Sequence, residues 1–201
     1  ALLLVISVVA GGAAIEQRNS AKSASTDATA QRLGAQALVQ GDLDRFPSPY
    51  LTGVLGVDDL TGGAYFQTTR GCPFKCNWCA KPIYGNRYNS RSPEHVVREL
   101  ELVHTRYTPD HIWFADDIFG LKPGWVQRFR DVLAERGLKI RYKIQSRVDL
   151  LLESDTIDAL VASGLEEVWV GAESGSQHIL DAMDKGTRVE QIGEATRLLR
   201  S

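Results

Sequence analysis

Three cysteines close together in the sequence constrain this chain more than any other feature. They stand in the segment Cys72-Pro-Phe-Lys-Cys76-Asn-Trp-Cys79, with C-x3-C-x2-C spacing, and they are the only cysteines among the 201 residues. Three thiolates can bind three irons of a [4Fe–4S] cube and leave the fourth iron open. An open iron can bind a substrate or a cofactor, so the spacing predicts an iron–sulfur centre with a free coordination position.

Other uses of these cysteines fit the sequence less well. A structural zinc site usually takes four ligands arranged as two close pairs, and the histidines form no such pair: His95, His104, His111 and His178. Three cysteines within eight residues are a poor disulfide framework, and an electron carrier with a closed cluster needs a fourth cysteine. Unpaired cysteines in a metal-type motif also indicate a reducing, cytoplasmic setting.

The overall composition is typical of one globular core without a strongly charged surface. The chain is 43% hydrophobic, and it has a formal net charge of −2 and a pI of about 6.1. A chain of this length can bury a sizeable core. Because no basic field points to nucleic acid, we expect no nucleic-acid partner; the substrate is expected to be a small molecule.

Residues 1–45 differ in composition from the rest of the chain. Residues 2–15 are apolar and uncharged, but they are fewer than the roughly 20 residues of a membrane-spanning helix, and no basic region precedes them. Residues 17–40 are rich in Ala, Ser, Thr and Gln, which suits a helical or irregular segment. We interpret residues 1–45 as the remnant of an upstream region without membrane contact; a clipped membrane or export segment is the alternative.

Turn-forming residues over 46–63 predict a linker, and an α/β core follows over 64–201. In that core, strand patterns alternate with helix patterns, which predicts a parallel sheet covered by helices. Strands are predicted over 64–69, 111–115, 140–146 and 167–171. Helices are predicted over 92–107, 124–136, 154–162, 177–183 and 189–199. The cysteines follow the first strand at its C-terminal end, which is where barrel enzymes place their sites.

Trp78 stands directly before the last cysteine and completes the pattern C-x3-C-x-aromatic-C. In this pattern the chain resembles the radical S-adenosylmethionine (SAM) enzymes. The resemblance implies that SAM chelates the open iron through its amino and carboxylate groups. It also implies that the reduced cluster cleaves SAM to methionine and a 5′-deoxyadenosyl radical. From its place beside the third ligand, Trp78 is expected to cover the cluster and shield it from water; plain core packing is the alternative, and both can hold at once.

The same resemblance implies a fold. Radical SAM cores are partial TIM-like (β/α) barrels of six units, and four strand–helix units are visible in this sequence. We therefore expect an α/β fold, a partial barrel truncated to about four units, which is incomplete at the C-terminus and preceded by a helical or irregular segment.

The resemblance also assigns contacts to SAM. Asp116 and Asp117 end the second predicted strand, where the family receives the SAM amino group; we favour Asp117, and Asp116 stays open. Gln145 and Arg147 end the third strand, where polar and basic side chains contact the SAM carboxylate and ribose. A surface ion pair between Arg147 and Asp149 is the alternative for this arginine.

The fourth strand leads into GAESGSQHILDAMDKG, which resembles a motif of cobalamin-binding radical SAM proteins. There, Glu173 and Ser174 are expected near the ribose hydroxyls of SAM. The stretch FPSPYLTGVL resembles the segment before the radical domain in the same group. These similarities imply a cobalamin-dependent methyltransferase or a magnesium-protoporphyrin ester cyclase type, with cobalamin in the full-length protein. The chain itself has no D-x-H-x-x-G ligand motif, and its first histidine is His95.

Two other functions stay open at this point. One is a radical SAM enzyme without cobalamin, of the methylthiotransferase-like or oxidative kind. The other is an iron–sulfur electron-transfer or sensing module that never cleaves SAM. Convergence of Asp117, Arg147 and Glu173 near the cysteines would favour an enzyme. An enzyme of this kind needs a reductant such as flavodoxin or ferredoxin as its partner.

Overall fold

The computed structural model describes residues 42–54, 62–79 and 87–201. Residues 42–54 belong to one compact unit, and the other described residues belong to a second. In the first unit, a short 3-10 helix spans Leu43–Arg45, and the Asp42 carboxylate accepts a hydrogen bond from the backbone N–H of Asp44 at 3.1 Å. The expectations for residues 1–41 lie outside the described residues. No described helix combines the length and the apolar character that crossing a membrane requires.

The second unit is built on a sheet of four parallel strands. Its strands are β1 (Gly63–Phe66), β2 (Thr69–Arg70), β3 (Asn89–Ser90), β4 (His111–Phe114), β5 (Tyr142–Ser146) and β6 (Leu165–Val170). Its helices are α1 (Pro93–Tyr107), α2 (Trp125–Glu135), α3 (Val148–Leu151), α4 (Thr156–Ala162), α5 (Gln177–Ala182) and α6 (Val189–Leu199). The main sheet has the order β1-β4-β5-β6, and every pair in it is parallel. The predicted α/β fold with four strand–helix units is confirmed.

The first strand is shorter than predicted. It leaves the main sheet after Phe66, and Thr69–Arg70 pairs instead with Asn89–Ser90 as a small antiparallel sheet. This pair joins the two ends of the segment that contains the cysteines. The chain leaves the main sheet here because the backbone N–H groups of Thr68 and Thr69 donate to the Asp116 side chain and not to a neighbouring strand.

One face of the main sheet is buried beneath α2 and α4. Alternate residues of the central strands point to this face, and Phe114 of β4 and Tyr142 of β5 have 0% exposure. Both rings contact Phe129 of α2 edge-on, at centroid distances of 5.8 and 6.1 Å. The Tyr142 hydroxyl donates to the backbone carbonyl of Leu160 in α4 at 3.1 Å. Burial of each such ring contributes about 1.5–3 kcal/mol, so these contacts fix the helices on the sheet.

The opposite face of the sheet has an aromatic row across the strands. Tyr65, Trp113 and Trp169 follow one another at ring-centroid distances of 5.5 and 5.6 Å. The ammonium of Lys143 lies 4.5 Å from the Trp113 ring and 5.0 Å from the Trp169 ring. Tyr65 and Trp169 are 61% and 47% exposed. In closed (β/α) barrels the corresponding face is filled by layers of side chains.

The ends of two helices show how local chemistry sets their bounds. Helix α1 begins as predicted, because the Ser92 hydroxyl accepts a hydrogen bond from the His95 N–H at 3.2 Å. Helix α4 begins at Thr156, one residue later than predicted with Ser154 as the N-cap; the observed N-cap is Asp155, which has a left-handed φ of 55°. Gly164, with φ of +102°, follows the end of α4 and returns the chain to β6.

Two glycines provide a matched test of this packing. A Cβ on Gly164 would lie 2.0 Å from the backbone carbonyl oxygen of Ile140, whereas a Cβ on Gly137, which has φ of +61°, would have no atom within 4 Å. We expect Gly137→Ala to lower the free energy of unfolding by about 1 kcal/mol through backbone strain alone. Gly164→Ala should lower it by about 3 kcal/mol or more, because a backbone carbonyl must also move. Urea denaturation measures both, and equal losses would contradict the close approach.

Candidate functional site

The C-terminal ends of the four parallel strands surround one cavity of about 530 Å³. Parallel strands all end at the same edge of a sheet, which is why groups far apart in sequence meet there. The lining residues are Cys72, Phe74, Cys76, Trp78, Cys79, Asp117, Ile118, Gln145, Ser146, Arg147, Trp169, Val170, Gly171, Glu173 and Lys185. The site therefore draws on all four strand–helix units.

All three cysteines line this cavity as free thiols. Cys72 and Cys76 are half-buried, and Cys79 is exposed. Burial raises the pKa of the Cys72 thiol; a hydrogen bond from the Phe74 backbone opposes this, and the negative charge of Asp117 adds to the increase. A metal must therefore displace a proton from Cys72 at neutral pH. Within the described part of the chain, no three His, Cys, Asp or Glu side chains surround one single-ion position.

The cysteine segment is attached to two distant parts of the chain. The side-chain amide of Asn77 donates to the Ala182 carbonyl at 2.6 Å, and its backbone N–H donates to the Met183 carbonyl at 3.0 Å. The Phe74 ring packs on the Arg147 guanidinium, with its centroid 3.7 Å from Cζ. The end of α5 and the residue after β5 thus both hold the segment in place.

The two neighbouring acids occupy different environments. Asp117 lines the cavity, as favoured from the sequence. Asp116 is 1% exposed and does not line it. The Asp116 Oδ1 accepts hydrogen bonds from the Thr68 N–H at 2.7 Å and the Thr69 N–H at 3.0 Å, and its Oδ2 accepts one from the Thr68 hydroxyl. Asp116 therefore holds the chain where it leaves β1, and of the two acids only Asp117 lies in the cavity lining.

Gln145 and Arg147 both line the cavity, but Arg147 also has structural partners. Its Nε and Nη2 donate to the Asp149 carboxylate at 3.0 and 2.9 Å. Its Nη2 also donates to the Lys185 carbonyl at 3.0 Å. Arg147 is only 5% exposed, so the ion pair with Asp149 exists but is not the solvated surface pair considered as the alternative.

Of the two residues predicted after β6 as contacts to SAM, Glu173 lines the cavity and Ser174 does not. Glu173 lines the cavity with a left-handed φ of 57°, and its Oε1 accepts a hydrogen bond from the Lys185 ammonium at 3.0 Å. Ser174 is absent from the lining residues; its hydroxyl accepts a hydrogen bond from the Ser176 N–H at 3.1 Å and shapes the turn. Trp78 lines the cavity at 48% exposure, which rules out core packing as its main role.

Seven of the lining residues were not predicted from the sequence, and three of these add aromatic rings or charge to the cavity: Phe74, Trp169 and Lys185. Phe74 lies between the first two cysteines, and Trp169 lies near the C-terminal end of β6 between the half-buried Val168 and Val170, so both had a local signal. Lys185 follows α5 and does not stand at the end of a predicted strand, so its position gave no signal in the sequence. Its ammonium lies 5.7 Å from the Trp78 ring centroid.

These residues fit a three-thiolate iron–sulfur cluster with a zwitterionic cofactor beside it. Thiolates are the usual ligands of such clusters, and three of them line one cavity. Asp117 and Glu173 supply carboxylates for cationic or hydroxyl donors, and Arg147 supplies a guanidinium that suits a carboxylate. The chemistry of the set therefore matches the group that the cysteine spacing predicts.

Comparison with known proteins identifies the family. The match to the Radical SAM superfamily covers residues 66–201, which is more than half of the chain. The chain thus belongs to the radical SAM superfamily, a family of enzymes. Membership implies a [4Fe–4S] cluster and SAM as cofactors.

The similar proteins are distant relatives. An uncharacterised methyltransferase of Pyrococcus horikoshii is 34% identical over 135 residues, which is 65% of this chain and 28% of that protein. An anaerobic magnesium-protoporphyrin IX monomethyl ester cyclase of Rubrivivax gelatinosus is 30% identical over 132 residues, covering 65% of this chain and 24% of the cyclase. This chain spans about a quarter of the length of these relatives.

A solved structure matches the fold as well. It is the cobalamin-dependent S-adenosylmethionine radical enzyme OxsB, with aqua-cobalamin and S-adenosylmethionine bound. The match has a TM-score of 0.57 at 26% identity, and it covers 67% of this chain and 22% of OxsB.

The buried carboxyl of Asp116 generates a prediction about pH. Burial raises its pKa from 3.8 to about 6, although its hydrogen bonds oppose the increase. Between these two values the folded protein binds more protons than the unfolded chain, so this group lowers stability as the pH rises. The loss should reach about 2.4 kcal/mol between pH 4 and pH 7.

Asp116→Asn keeps an oxygen for the two N–H donors and removes the titration. We expect urea denaturation of this variant to lack the part of the pH dependence that Asp116 causes. An unchanged difference in unfolding free energy between pH 4 and pH 7 would show that Asp116 titrates normally.

Proposed function

We propose that this chain binds a [4Fe–4S] cluster through Cys72, Cys76 and Cys79 and cleaves SAM reductively at the open iron. The observation that carries the proposal is the single cavity, in which the three thiols face carboxylate, amide and guanidinium groups from the other strand ends. Family membership supports the same cofactors.

Each polar group of the cavity has a role that follows from its charge. Asp117 would accept hydrogen bonds from the SAM amino group, since a carboxylate pairs strongly with an ammonium. Gln145 and Arg147 would bind the SAM carboxylate. Glu173 would accept hydrogen bonds from the ribose hydroxyls.

When bound, the cluster would pass one electron from an external reductant to SAM, breaking the sulfur–C5′ bond and yielding methionine and a 5′-deoxyadenosyl radical. The chain's own residues would bind and orient SAM for this step. The electron donor would be a low-potential protein such as flavodoxin or ferredoxin. The need for three reduced thiols agrees with a reducing compartment such as the cytoplasm.

An electron-transfer or sensing module is less well supported by the cavity. Such a module gains nothing from carboxylates and a guanidinium grouped beside its cluster. Here Asp117, Arg147 and Glu173 line the same cavity as the cysteines although they come from three different strand ends. That grouping favours a cofactor with both an ammonium and a carboxylate.

For the whole protein we propose a cobalamin-dependent reaction of the methyltransferase or cyclase type, acting on a small molecule. The support comes from relatives: a methyltransferase, a magnesium-protoporphyrin cyclase and the cobalamin-dependent enzyme OxsB. Cobalamin would enter with the full-length protein, since the motif D-x-H-x-x-G does not occur in this sequence. Retention of cobalamin by full-length protein tests this part separately.

The cluster can be tested directly by reconstitution. Under anaerobic conditions the chain should bind about four irons and four sulfides. Cys72→Ala, Cys76→Ala and Cys79→Ala should each abolish the iron absorption, because every thiolate holds a separate iron. Iron and sulfide analysis measures this, and a chain that retains zinc and takes up no iron would refute the proposal.

SAM binding can be tested with two aspartates. Asp117→Asn keeps the size of the side chain and removes the charge from the cavity, whereas Asp131→Asn changes an acid on α2 that pairs with Arg130 outside it. Loss of one charge-assisted contact costs about 1.5–3 kcal/mol, so Asp117→Asn should weaken SAM binding roughly ten- to hundredfold at unchanged iron content. Asp131→Asn should bind like the parent chain. Equal SAM affinities in all three proteins would remove Asp117 from the site.

A further inference from the structure

A buried ammonium lies in the wall of the cavity that the cysteines line. The Lys185 side chain is 9% exposed, and Lys185 lines the same cavity as Cys72, Cys76 and Cys79. Burying an ammonium is expensive unless it is paired and hydrogen-bonded. Its partner is the Glu173 carboxylate, whose side chain is 21% exposed, at 3.0 Å.

Glu173 is itself held in an unfavourable conformation. Its φ of 57° lies in the left-handed region, which is strained for a residue that carries a side chain. Such strain persists only where the surroundings enforce it, and it often marks functional positions. The ion pair with Lys185 holds the Glu173 side chain against the cavity wall while the backbone keeps this conformation.

Gly171 leaves the space that this ion pair occupies. A Cβ at this position would lie 2.6 Å from Glu173 Oε1 and 2.8 Å from the Lys185 ammonium nitrogen. Any larger residue would therefore displace one of the two groups. Three features therefore support the ion pair between Glu173 and Lys185: the missing side chain at Gly171, the strained backbone of Glu173 and the burial of Lys185.

The backbone of Lys185 is held by hydrogen bonds on both of its polar groups. Its backbone N–H donates to the Leu180 carbonyl at 3.1 Å, and its carbonyl accepts a hydrogen bond from Arg147 at 3.0 Å. The backbone of Lys185 is thus fixed both to α5 and to the arginine that packs on Phe74. A fixed ammonium can orient a carboxylate more narrowly than a mobile surface lysine can.

We propose that Lys185 is a positioning residue that holds the Glu173 carboxylate ready to accept hydrogen bonds from the ribose of SAM. Lys185 occupies one carboxylate oxygen, Oε1, and among the described residues Oε2 has no hydrogen-bond partner. Preorganisation of this kind lowers the cost of ordering a group when a ligand binds. The inference rests on the proposed function, since it assigns Lys185 a task in SAM binding.

The test is a double-mutant cycle on the cluster-loaded chain, read out as SAM affinity by anaerobic equilibrium dialysis. Lys185→Met should weaken SAM binding about tenfold, in the range seen when residues that orient a ligand-binding group are removed. Iron content should not change. Lys185→Arg, which keeps the cation, should recover most of the affinity.

The double-mutant cycle distinguishes a Lys185 that acts through Glu173 from a Lys185 that affects SAM binding in another way. If Lys185 acts through Glu173, then Lys185→Met should cost nothing further in a Glu173→Gln background. Gly171→Ala, which pushes the pair apart without changing any charge, should reproduce the loss. Full SAM affinity in Lys185→Met, or an equal loss in the Glu173→Gln background, would overturn the inference.

Free methionine is the matched ligand control, because it shares the amino and carboxylate groups of SAM and lacks the ribose. Its affinity for the loaded chain should be the same with and without Lys185→Met. Loss of methionine binding in that variant would show that Lys185 serves the amino-acid part of the site, contrary to the inference. If the parent chain bound no SAM, the proposed function would be refuted. If the parent chain bound SAM and Lys185→Met bound it equally well, only the role of Lys185 would be refuted.

Discussion

Parallel pairing of four strands is the constraint on which the site depends. Because β1, β4, β5 and β6 all run the same way, the loops that follow them meet at one edge of the sheet. The cysteines follow β1, Asp117 follows β4, Arg147 follows β5 and Glu173 follows β6. No pair of these groups needs to be close in sequence, and a change of direction in one strand would remove its group from the cavity.

The cysteine segment is held in place by contacts that do not involve a metal. Asp116 accepts hydrogen bonds from two backbone N–H groups just after β1 ends, and these bonds turn the chain out of the sheet. Asn77 then binds the carbonyls that end α5, and Phe74 packs on Arg147. The protein thereby orders three thiols around one cavity through ordinary hydrogen bonds and ring packing, which reduces the entropy that cluster binding must overcome.

The sequence was most informative where function depends on local spacing. The cysteines were found from their separation, and Asp117 and Glu173 from the resemblance to radical SAM enzymes together with their positions after predicted strands. Asp116 could have been separated from Asp117, because it continues the buried alternation of Ile112 and Phe114. Lys185 had no such signal, since its place beside Glu173 depends on how α5 and the turn after it pack. Contacts of this long-range kind are not readable from one sequence.

The most direct measurement is the electron paramagnetic resonance spectrum of the reduced, cluster-loaded chain before and after SAM is added. A cluster held by three thiolates has one open iron, so SAM should bind to that iron and shift the g values of the reduced cluster, with no loss of signal intensity. An excess of methylthioadenosine, which lacks the amino and carboxylate groups, should leave the spectrum unchanged. Identical spectra with and without saturating SAM would contradict an open iron that receives SAM in this cavity.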